Sequence, residues 1–300
     1  TLNTGTNDIT LDNSNQFGTL QLTANNATIN ENAATDLGNS SITGNLTLTS
    51  TGAITQSDLL NLSGTTILNA GTNDITLDNP ANLFSTINLT ANNATVQATG
   101  NLNVGTSTIT GAFTSTSNTL TTSGSVTSGT ATLTSQDGIT LNAPLTTNGT
   151  TTLNADGDNN GVGGLTIAAG ATLSTTNNPL TLTASDINLT GTLNSGTEAT
   201  TIQPSNGGSI GLGNATGSLT LSGAELQNIT AGGLTIGSNS SGNITIDNLT
   251  AANTSNISGA VTLNSLGSSG TVTFTTNPTT IGALTAVSYT HLTLPTNREV

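Results

Sequence analysis

The sequence predicts an all-β chain folded as a parallel β-solenoid, in which short strands stack coil upon coil. Three observations predict this class. The nine residues GTNDITLDN occur at 5–13 and again at 71–79. Short stretches alternate aliphatic with polar residues along the chain, and clusters of Gly, Asn, Asp and Ser separate them. Helical periodicity is absent, so strands with one inward and one outward face are the pattern to explain.

The composition allows only a narrow core. Hydrophobic residues, glycine not counted, make up 32% of the chain, aromatic residues 2% and charged residues 5%, whereas about 45–50% apolar residues are usual in globular domains when glycine is counted in. The mean hydropathy of −0.02 is nevertheless too high for a typical disordered chain. The aliphatic residues must therefore share a thin interior, as they do in a solenoid.

The charge balance excludes several partners. The formal net charge is −14, and Arg298 is the only Lys or Arg. Nucleic acids and anionic membranes both need cationic side chains, so we expect no nucleic-acid partner. No apolar run of about 18 residues occurs, and we expect no membrane insertion. The absence of cysteine excludes disulfides and thiolate metal sites, and is compatible with an extracellular protein.

The repeat extends beyond nine residues. LTANNAT stands at 22–28 and again at 89–95, and the offset rises from 66 to 67 because of one extra residue around Pro80. A fainter third copy lies at 129–141. A module of 66–67 residues divides into three coils of about 22 residues, the length of one β-helix turn. We expect the solenoid to cover residues 1–286 and to be part of a longer array.

The alternation places individual strands within these coils. Thr and Ile favour strands, and the Gly, Asn and Ser clusters between them favour turns. A sandwich of similar strands is the structural alternative, but the long recurrence favours a solenoid. The clearest predicted strands are Asp8–Asp12, Asn45–Leu48, Thr86–Leu89, Ser209–Leu212 and Asn243–Ile246.

The repeat resembles a known family. The phrase L-N-[AT]-G-T-N-D-I-T-L-D-N at 2–13 and 68–79, with GNLTLTSTGAITQS at 44–57, resembles the repeats of filamentous-haemagglutinin-like large exoproteins. The resemblance covers roughly residues 1–286, and is strong to about residue 140. It implies a right-handed parallel β-helix that is secreted through an outer-membrane partner barrel and displayed as an adhesin on the bacterial surface. The family's secretion domain is expected upstream of residue 1.

The resemblance also implies partners. Host-cell or matrix receptors, glycans or other cells are the ligands expected of such an adhesin, and the secretion barrel is a further partner through the upstream domain. We therefore predict a non-catalytic structural shaft. The alternatives are a solenoid carbohydrate-active enzyme and an ice-binding solenoid.

One loop has the opening of a calcium site. Residues 156–161 read D-x-D-x-N-G, which offers oxygen ligands at alternate positions and a glycine for the bend. The predicted ligands are Asp156, Asp158 and Asn160. Position twelve holds Ile167, where a bidentate Glu belongs, so the competing interpretation is a lengthened turn between strands. No other cofactor is expected.

Carboxylate pairs raise the question of glycoside hydrolysis. Asp8/Asp12 and Asp74/Asp78 are four residues apart, or about 13 Å along an extended strand. Glycosidases use separations of about 5–9.5 Å, so we predict solvated acids at strand ends. Residues 1–286 contain no Lys, Arg or His, which argues against a lyase.

An ice-binding face would need the same outward threonine pair on every coil. Thr47/Thr49 and Thr86/Thr90 are such pairs in the sequence. Matching positions hold other polar residues instead, namely Gln21, Asn88, Asn101 and Asn103. The sequence therefore disfavours this alternative.

The last residues break the pattern. Residues 287–300 contain the only Tyr, His and Arg of the chain. The stretch VSYTHL resembles a translated sequencing adapter, so we predict a non-native tail, with a native boundary segment as the alternative. We assign His291 no catalytic role.

Overall fold

The computed structural model describes residues 1–275, 277–289 and 291–293, with side chains as far as residue 289. It confirms the predicted class: the chain is all-β and its parallel sheets form a β-solenoid. The helical content is one short α-helix and two 3-10 turns in the described part. By its contacts the chain divides into two compact units.

In the described residues, thirty-seven short strands carry the fold. The first nineteen are β1 (Leu2–Asn3), β2 (Ile9–Asn15), β3 (Thr19–Leu20), β4 (Leu22–Ala24), β5 (Ala27–Glu31), β6 (Thr35–Leu37), β7 (Ser40–Ile42), β8 (Leu46–Ser50), β9 (Ile54–Gln56), β10 (Leu60–Asn69), β11 (Ile75–Leu77), β12 (Leu83–Ala91), β13 (Ala94–Gln97), β14 (Asn101–Val104), β15 (Ser107–Ile109), β16 (Ala112–Ser117), β17 (Thr119–Thr122), β18 (Val126–Ser128) and β19 (Thr130–Ser135). The others are β20 (Ile139–Leu141), β21 (Leu145–Thr147), β22 (Thr151–Asn154), β23 (Leu165–Ile167), β24 (Thr172–Ser174), β25 (Leu180–Ala184), β26 (Ile187–Leu189), β27 (Thr192–Asn194), β28 (Ala199–Pro204), β29 (Ile210–Gly213), β30 (Leu219–Leu221), β31 (Ile229–Thr230), β32 (Gly233–Ser238), β33 (Ile244–Asp247), β34 (Val261–Ser265), β35 (Thr271–Phe274), β36 (Leu284–Ser288) and β37 (His291–Thr293). The helix α1 is Gly223–Gln227, and the 3-10 turns are Ser205–Gly207 and Ala251–Thr254.

The first unit comprises residues 1–135 and 142–147. Each coil contributes one strand to each of three faces in turn. The first face begins with β1, β4 and β7, and the second with β2, β5 and β8. The third face stacks β3, β6, β9, β11, β13, β16 and β19 in a separate sheet. The longer β10 and β12 run across the first two faces, and their pairing shifts register between Leu62 and Thr65.

The interior is a set of aliphatic columns. On the second face Ile29 lies directly over Leu48, and on the third face Ile75 lies over Ile54. Each of these side chains is at most 1% exposed. Because the strand period is two residues, the alternate positions face solvent and hold Thr, Asn or Ser. The predicted alternation therefore sets which side chains form the core.

The coils are shorter than predicted. Partner residues on neighbouring coils of the first unit are 17 positions apart at Thr19 and Asp36, and 22 apart at Asn61 and Leu83. Most separations lie between these values, so a coil averages roughly 20 residues.

The sequence module does not equal three coils, and this part of the prediction was wrong. Ile9 pairs with Ala27, which pairs with Leu46, which pairs with Thr66: these are three turns on the second face. The repeat counterpart Ile75 lies one strand later, on the third face. The module thus spans three and a third turns. An alternating strand fits any face, because the pattern specifies inside and outside but not the corner at which the chain bends.

The second unit comprises residues 136–141 and 148–300. Its third face stacks β22, β25, β28, β32, β34 and β36. A further sheet has the order β30-β29-β33-β35-β37. Several coils are enlarged: Thr151 pairs with Leu180, 29 positions on, and Ala199 pairs with Gly233, 34 positions on. In the first of these coils the extra residues form the turn between β22 and β23, and in the second they include β29, β30 and α1.

The helix α1 completes a strand edge in the second unit. Ser222 and Glu225 form a capping box at its N-terminus. Glu225 Oε1 also accepts a hydrogen bond from Leu189 N at 3.1 Å, and Asn228 Nδ2 donates to Leu189 O at 2.9 Å. These side chains take the place of a neighbouring strand at the end of β26. No helix within the described residues has the length and apolarity needed to cross a membrane.

The predicted boundary at residue 287 falls inside a strand. Val287 and Ser288 belong to β36 and pair with Asn264 and Ser265 of β34. Thr290 and residues 294–300 lie outside the described residues. The division into a solenoid at 1–286 and a non-native tail at 287–300 stays a prediction.

Candidate functional site

The third face carries a single file of outward threonines, which we call the threonine file. Within each unit its members pair directly, one coil to the next, and they are exposed or half-buried. With adjacent strands about 4.8 Å apart, their hydroxyls form a regular uncharged row. In the first unit the file is Thr76, Thr95, Thr114 and Thr132. Earlier on the same face, the acidic Asp36 pairs with Thr19 and Thr55. In the second unit it is Thr152, Thr181, Thr201, Thr235, Thr262 and Thr285.

The next outward position on the same strands is mixed. Thr116 pairs with Gln97 in the first unit, and Thr183 pairs with Gln203 in the second. Asn264 pairs with Gly237. A threonine pair therefore does not occur on every coil of this face.

The first acid of each predicted carboxylate pair is bonded to the following coil. Asp8 Oδ1 accepts hydrogen bonds from Asn26 N at 3.0 Å and Asn26 Nδ2 at 2.9 Å. In the second copy, Asp74 Oδ1 accepts from Asn93 N and Asn93 Nδ2, both at 3.0 Å. Asn25 and Asn92 donate to the same carboxylates. The recurring TND and TANN segments therefore meet at coil corners, although the two corners lie on different faces.

These hydrogen bonds change the acidity of both carboxyls. Hydrogen bonding to the backbone N–H of Asn26 lowers the pKa of Asp8, and the side-chain amides of Asn26 and Asn25 lower it further. The backbone N–H of Asn93, followed by the side chain of Asn92, lowers the pKa of Asp74. Both carboxyl groups therefore stay ionised to a lower pH than usual, because N–H donors stabilise the charged form. Both carboxylates thus act as acceptors that join one coil to the next.

A pair of polar clefts lies at the ends of third-face strands in the second unit. One cleft has a volume of about 330 Å³ and includes Gly161, Ser185 and Asp186 in its lining. The second has a volume of about 460 Å³ and includes Asn159 and Gln203. Both are lined by Ser205 and Asn206. The turn at 205–207 therefore separates two compartments.

The cleft walls come from successive coils. The 156–161 loop follows β22, Ser185 follows β25, and Ser205 follows β28. These strands are consecutive neighbours on the third face. The loop after β22 therefore reaches past the intermediate coil, whose end forms the floor of the first cleft.

Asp156 holds this arrangement together. Its carboxylate is fully buried: Oδ1 accepts from Asn160 N at 3.1 Å, and Oδ2 accepts from Gly161 N at 2.9 Å. The hydroxyl of Ser205 also donates to Oδ2. A buried carboxylate requires such partners, because burial without them is costly. Asp156 thus fixes one cleft wall to the other.

The predicted calcium ligands lie close together, but their oxygen atoms accept hydrogen bonds from N–H groups. Asp158 is exposed, and its Oδ2 accepts from Asn160 Nδ2 at 2.8 Å. Asn160 Oδ1 accepts from Val162 N at 2.8 Å. In the described part of the chain, no three His, Cys, Asp or Glu residues form a metal-binding group. Calcium here stays a prediction, and an ion would have to replace these N–H donors.

One wall of the clefts, the 156–161 loop, is recognisable in the sequence, and the other, at Ser185 and the 205–207 turn, is not. The 156–161 loop was singled out by its acids. Ser185, Ser205 and Asn206 were not, because they follow the strands of the next two coils and form no motif with the 156–161 loop. The available signal was the interruption of strand alternation by SNGG at 205–208.

The fold and these sites define a parallel β-solenoid repeat protein. Residues 24–90 and 91–145 each match a family described as "Repeats of unknown function (DUF5649)". The two matches begin 67 residues apart (91 − 24), which is the offset of the sequence repeat. No curated protein matches the chain, and no solved structure does.

Proposed function

We propose that this chain is a structural, non-catalytic region of a secreted bacterial surface adhesin that mediates cell adhesion or aggregation. The observation that carries the proposal is the threonine file, an uncharged row that continues over successive coils of the third face in each unit. Repetition of weak polar contacts along such a surface supports multivalent attachment. The sequence resemblance to haemagglutinin-like exoproteins supports the same assignment.

The proposed setting follows from that resemblance. The protein is displayed at the bacterial cell surface after passage through an outer-membrane secretion partner. Its ligands are host-cell or matrix receptors, glycans or other cells. The scarcity of cationic side chains supports a partner other than nucleic acid.

The threonine file gives some support to the ice-binding alternative. A row of hydroxyl and methyl groups continues from Thr76 to Thr132 in the first unit and from Thr152 to Thr285 in the second, but Asp36 interrupts it on the earlier coils of the first unit. The neighbouring row is interrupted by Gln97, Gln203 and Asn264, so the paired array that such a surface requires is incomplete. We rank this function below adhesion.

The enzyme alternative has less support from the acids. Asp8, Asp74 and Asp156 accept hydrogen bonds from neighbouring coils or loops. Carboxylates held in this way are structural acceptors, and a glycosidase needs two that face a substrate.

Adhesion and catalysis can be tested side by side. Beads coated with the purified chain should bind epithelial or bacterial cells, whereas beads with the heat-denatured chain should not. Incubation with a panel of polysaccharides should release no product. Failure to bind any cell type would contradict the adhesin proposal. Product release that is lost in Asp156→Asn, Asp158→Asn or Asp186→Asn would favour the enzyme.

A further inference from the structure

We propose that the two clefts beside the 205–207 turn bind an uncharged oligosaccharide, with one sugar on either side of Asn206. This inference rests on the proposed adhesive function for its biological role and adds a site and a ligand class. The clefts lie where coils of the second unit depart most from the regular solenoid, so the added residues have a use beyond stacking.

The clefts are built sites with ordered walls. The buried carboxylate of Asp156 joins the 156–161 loop to Ser205, as its three hydrogen bonds show. The turn at 205–207 has Asn206 at a φ of 53°, a left-handed conformation that Asn tolerates. Asn206 itself is exposed. Its side chain therefore stands on a fixed turn between the two compartments.

The groups that face the clefts retain hydrogen-bonding capacity. Within the described part of the chain, the Asn206 amide and the Ser185 hydroxyl have no protein partner. Asp186 Oδ1 accepts from Thr220 N at 2.8 Å, which leaves Oδ2 available. In the second cleft Gln203 donates to Thr183 Oγ1 at 2.9 Å, and its carbonyl oxygen remains available. Donors and acceptors are thus mixed, which suits ligand hydroxyls that both donate and accept.

The same lining disfavours other ligand classes. No Lys, Arg or His lines either cleft as the structure describes it, and Asp186 in the first cleft repels anions. The lining is mainly Ser, Asn, Thr and Gly, so an apolar ligand would leave these polar groups unpaired. Volumes of about 330 and 460 Å³ fall at the small end of ligand-pocket sizes. A neutral polyhydroxylated chain satisfies all three conditions.

The test uses the full chain and a matched pair of variants. Asn206→Gly removes the amide that both compartments share and keeps a residue that accepts positive φ. Asn248→Gly is the control, because Asn248 also has a φ of 53° and is exposed but lines neither cleft. The probes are neutral tetrasaccharides of glucose, galactose, mannose and N-acetylglucosamine, with tetragalacturonate as the anionic comparison. Binding is measured by titration calorimetry, and circular dichroism checks the fold.

We expect at least one neutral tetrasaccharide to bind and tetragalacturonate not to bind. Asn206→Gly should raise the Kd about tenfold, because one or two hydrogen bonds to the ligand are lost. Asn248→Gly should leave the Kd within about twofold of the wild-type value. If Asn206→Gly does not fold, Gln203→Ala replaces it with the same expectation. Absence of binding to every neutral probe, preference for the anion, or equal affinity of the folded cleft variant would overturn the proposal.

The outcome is separable from that of the adhesin proposal. One outcome is that beads coated with the wild-type chain and beads coated with the Asn206→Gly chain bind cells equally while no neutral tetrasaccharide binds the chain. In that case the cleft inference fails and the adhesin proposal stands. If a neutral tetrasaccharide binds in the cleft and no cell binds, the inference stands and the adhesin proposal fails.

Discussion

Buried serines in this solenoid are of two kinds. Ser107 Oγ accepts from Leu89 N at 3.0 Å and donates to Gly105 O at 3.1 Å, and so satisfies a backbone group of the preceding coil. Its repeat counterpart Ser40 makes the same contact with Leu22 N. Ser115 is equally buried, but its hydroxyl has no hydrogen-bond partner in the described structure. The same residue type therefore has opposite effects on stability.

Substitution of these serines by alanine separates the two kinds. Ser107→Ala leaves Leu89 N buried without an acceptor, and should lower the free energy of unfolding by about 1–3 kcal/mol. Ser115→Ala removes an unpaired polar atom, and should leave that free energy unchanged or raise it by about 1 kcal/mol. Urea unfolding measures both. Equal destabilisation by the two substitutions would contradict the hydrogen-bond assignment.

Acidification should weaken the corners at Asp8 and Asp74. Their pKa values are lowered in the folded state, chiefly by backbone N–H donors. A depressed folded pKa gives stability that is present above the ordinary value of about 4 and is lost as pH falls through the lower folded value. The free energy of unfolding should therefore fall below about pH 4.

The matched control for this pH effect is in the same strand region. Asp78 is exposed like Asp74, but its carboxylate has no hydrogen-bond partner among the described residues. Replacing both corner acids, Asp8→Asn with Asp74→Asn, should reduce the pH dependence of stability below about pH 4. Asp78→Asn should leave it close to wild type. The free energy of unfolding of the wild type and of both variants is measured at several pH values. The same dependence on pH in all three proteins would contradict the assignment.

Among the elements, the short helix α1 stabilises the end of a neighbouring strand. Glu225 caps the helix and accepts the N–H of Leu189 at the end of β26. Glu225→Ala removes both contacts, and should lower the free energy of unfolding by about 2–4 kcal/mol. Glu198→Ala is the control, because Glu198 is exposed. Thermal unfolding of the two variants tests this, and similar melting temperatures would contradict it.

The strands were predictable from sequence, and the corners were not. Alternation such as Ile75-Thr76-Leu77 identifies a strand and its buried side, because both depend on neighbouring residues. Coil length depends on which strand of the preceding coil each strand pairs with. The sequence repeat of 66–67 residues did not indicate that length, because it is not a whole number of coils. Ile9 and Ile75 share their sequence surroundings but occupy different faces. Local sequence does not contain that information.

The candidate clefts show the same limit. Asp156 was recognisable because acids at alternate positions resemble a cation loop. Its partner Ser205 lies 49 positions away, and an ordinary serine carries no signal of that contact. The enlarged coils that bring the two together depend on pairings between strands, which a single sequence does not specify.

For the whole molecule, electrostatics oppose folding. The chain has a formal net charge of −14 with a single Lys or Arg, so like charges have almost no compensation. Raising NaCl from 10 to 150 mM shortens the Debye length from about 30 to about 8 Å and screens this repulsion. At pH 7 the melting temperature should rise by about 2–4 °C, equivalent to about 1 kcal/mol. A decrease would mean that attractive ion pairs dominate.

The central claim is that successive coils of this solenoid stack in parallel and in register, and engineered cysteine pairs test it most directly. The chain has no native cysteine. Thr95 and Thr114 are direct partners on adjacent strands, so their Cα atoms should lie about 4.8 Å apart, within disulfide range. Thr132 lies one coil further along the same file, about 10 Å from Thr95, beyond that range.

The measurement is intramolecular disulfide formation under mild oxidation at high dilution, read by mass spectrometry. The Thr95→Cys/Thr114→Cys variant should form the disulfide in nearly all molecules, and Thr95→Cys/Thr132→Cys should stay reduced. Cross-linking of the second pair in preference to the first would contradict the stacking on which the fold, the threonine file and the clefts depend.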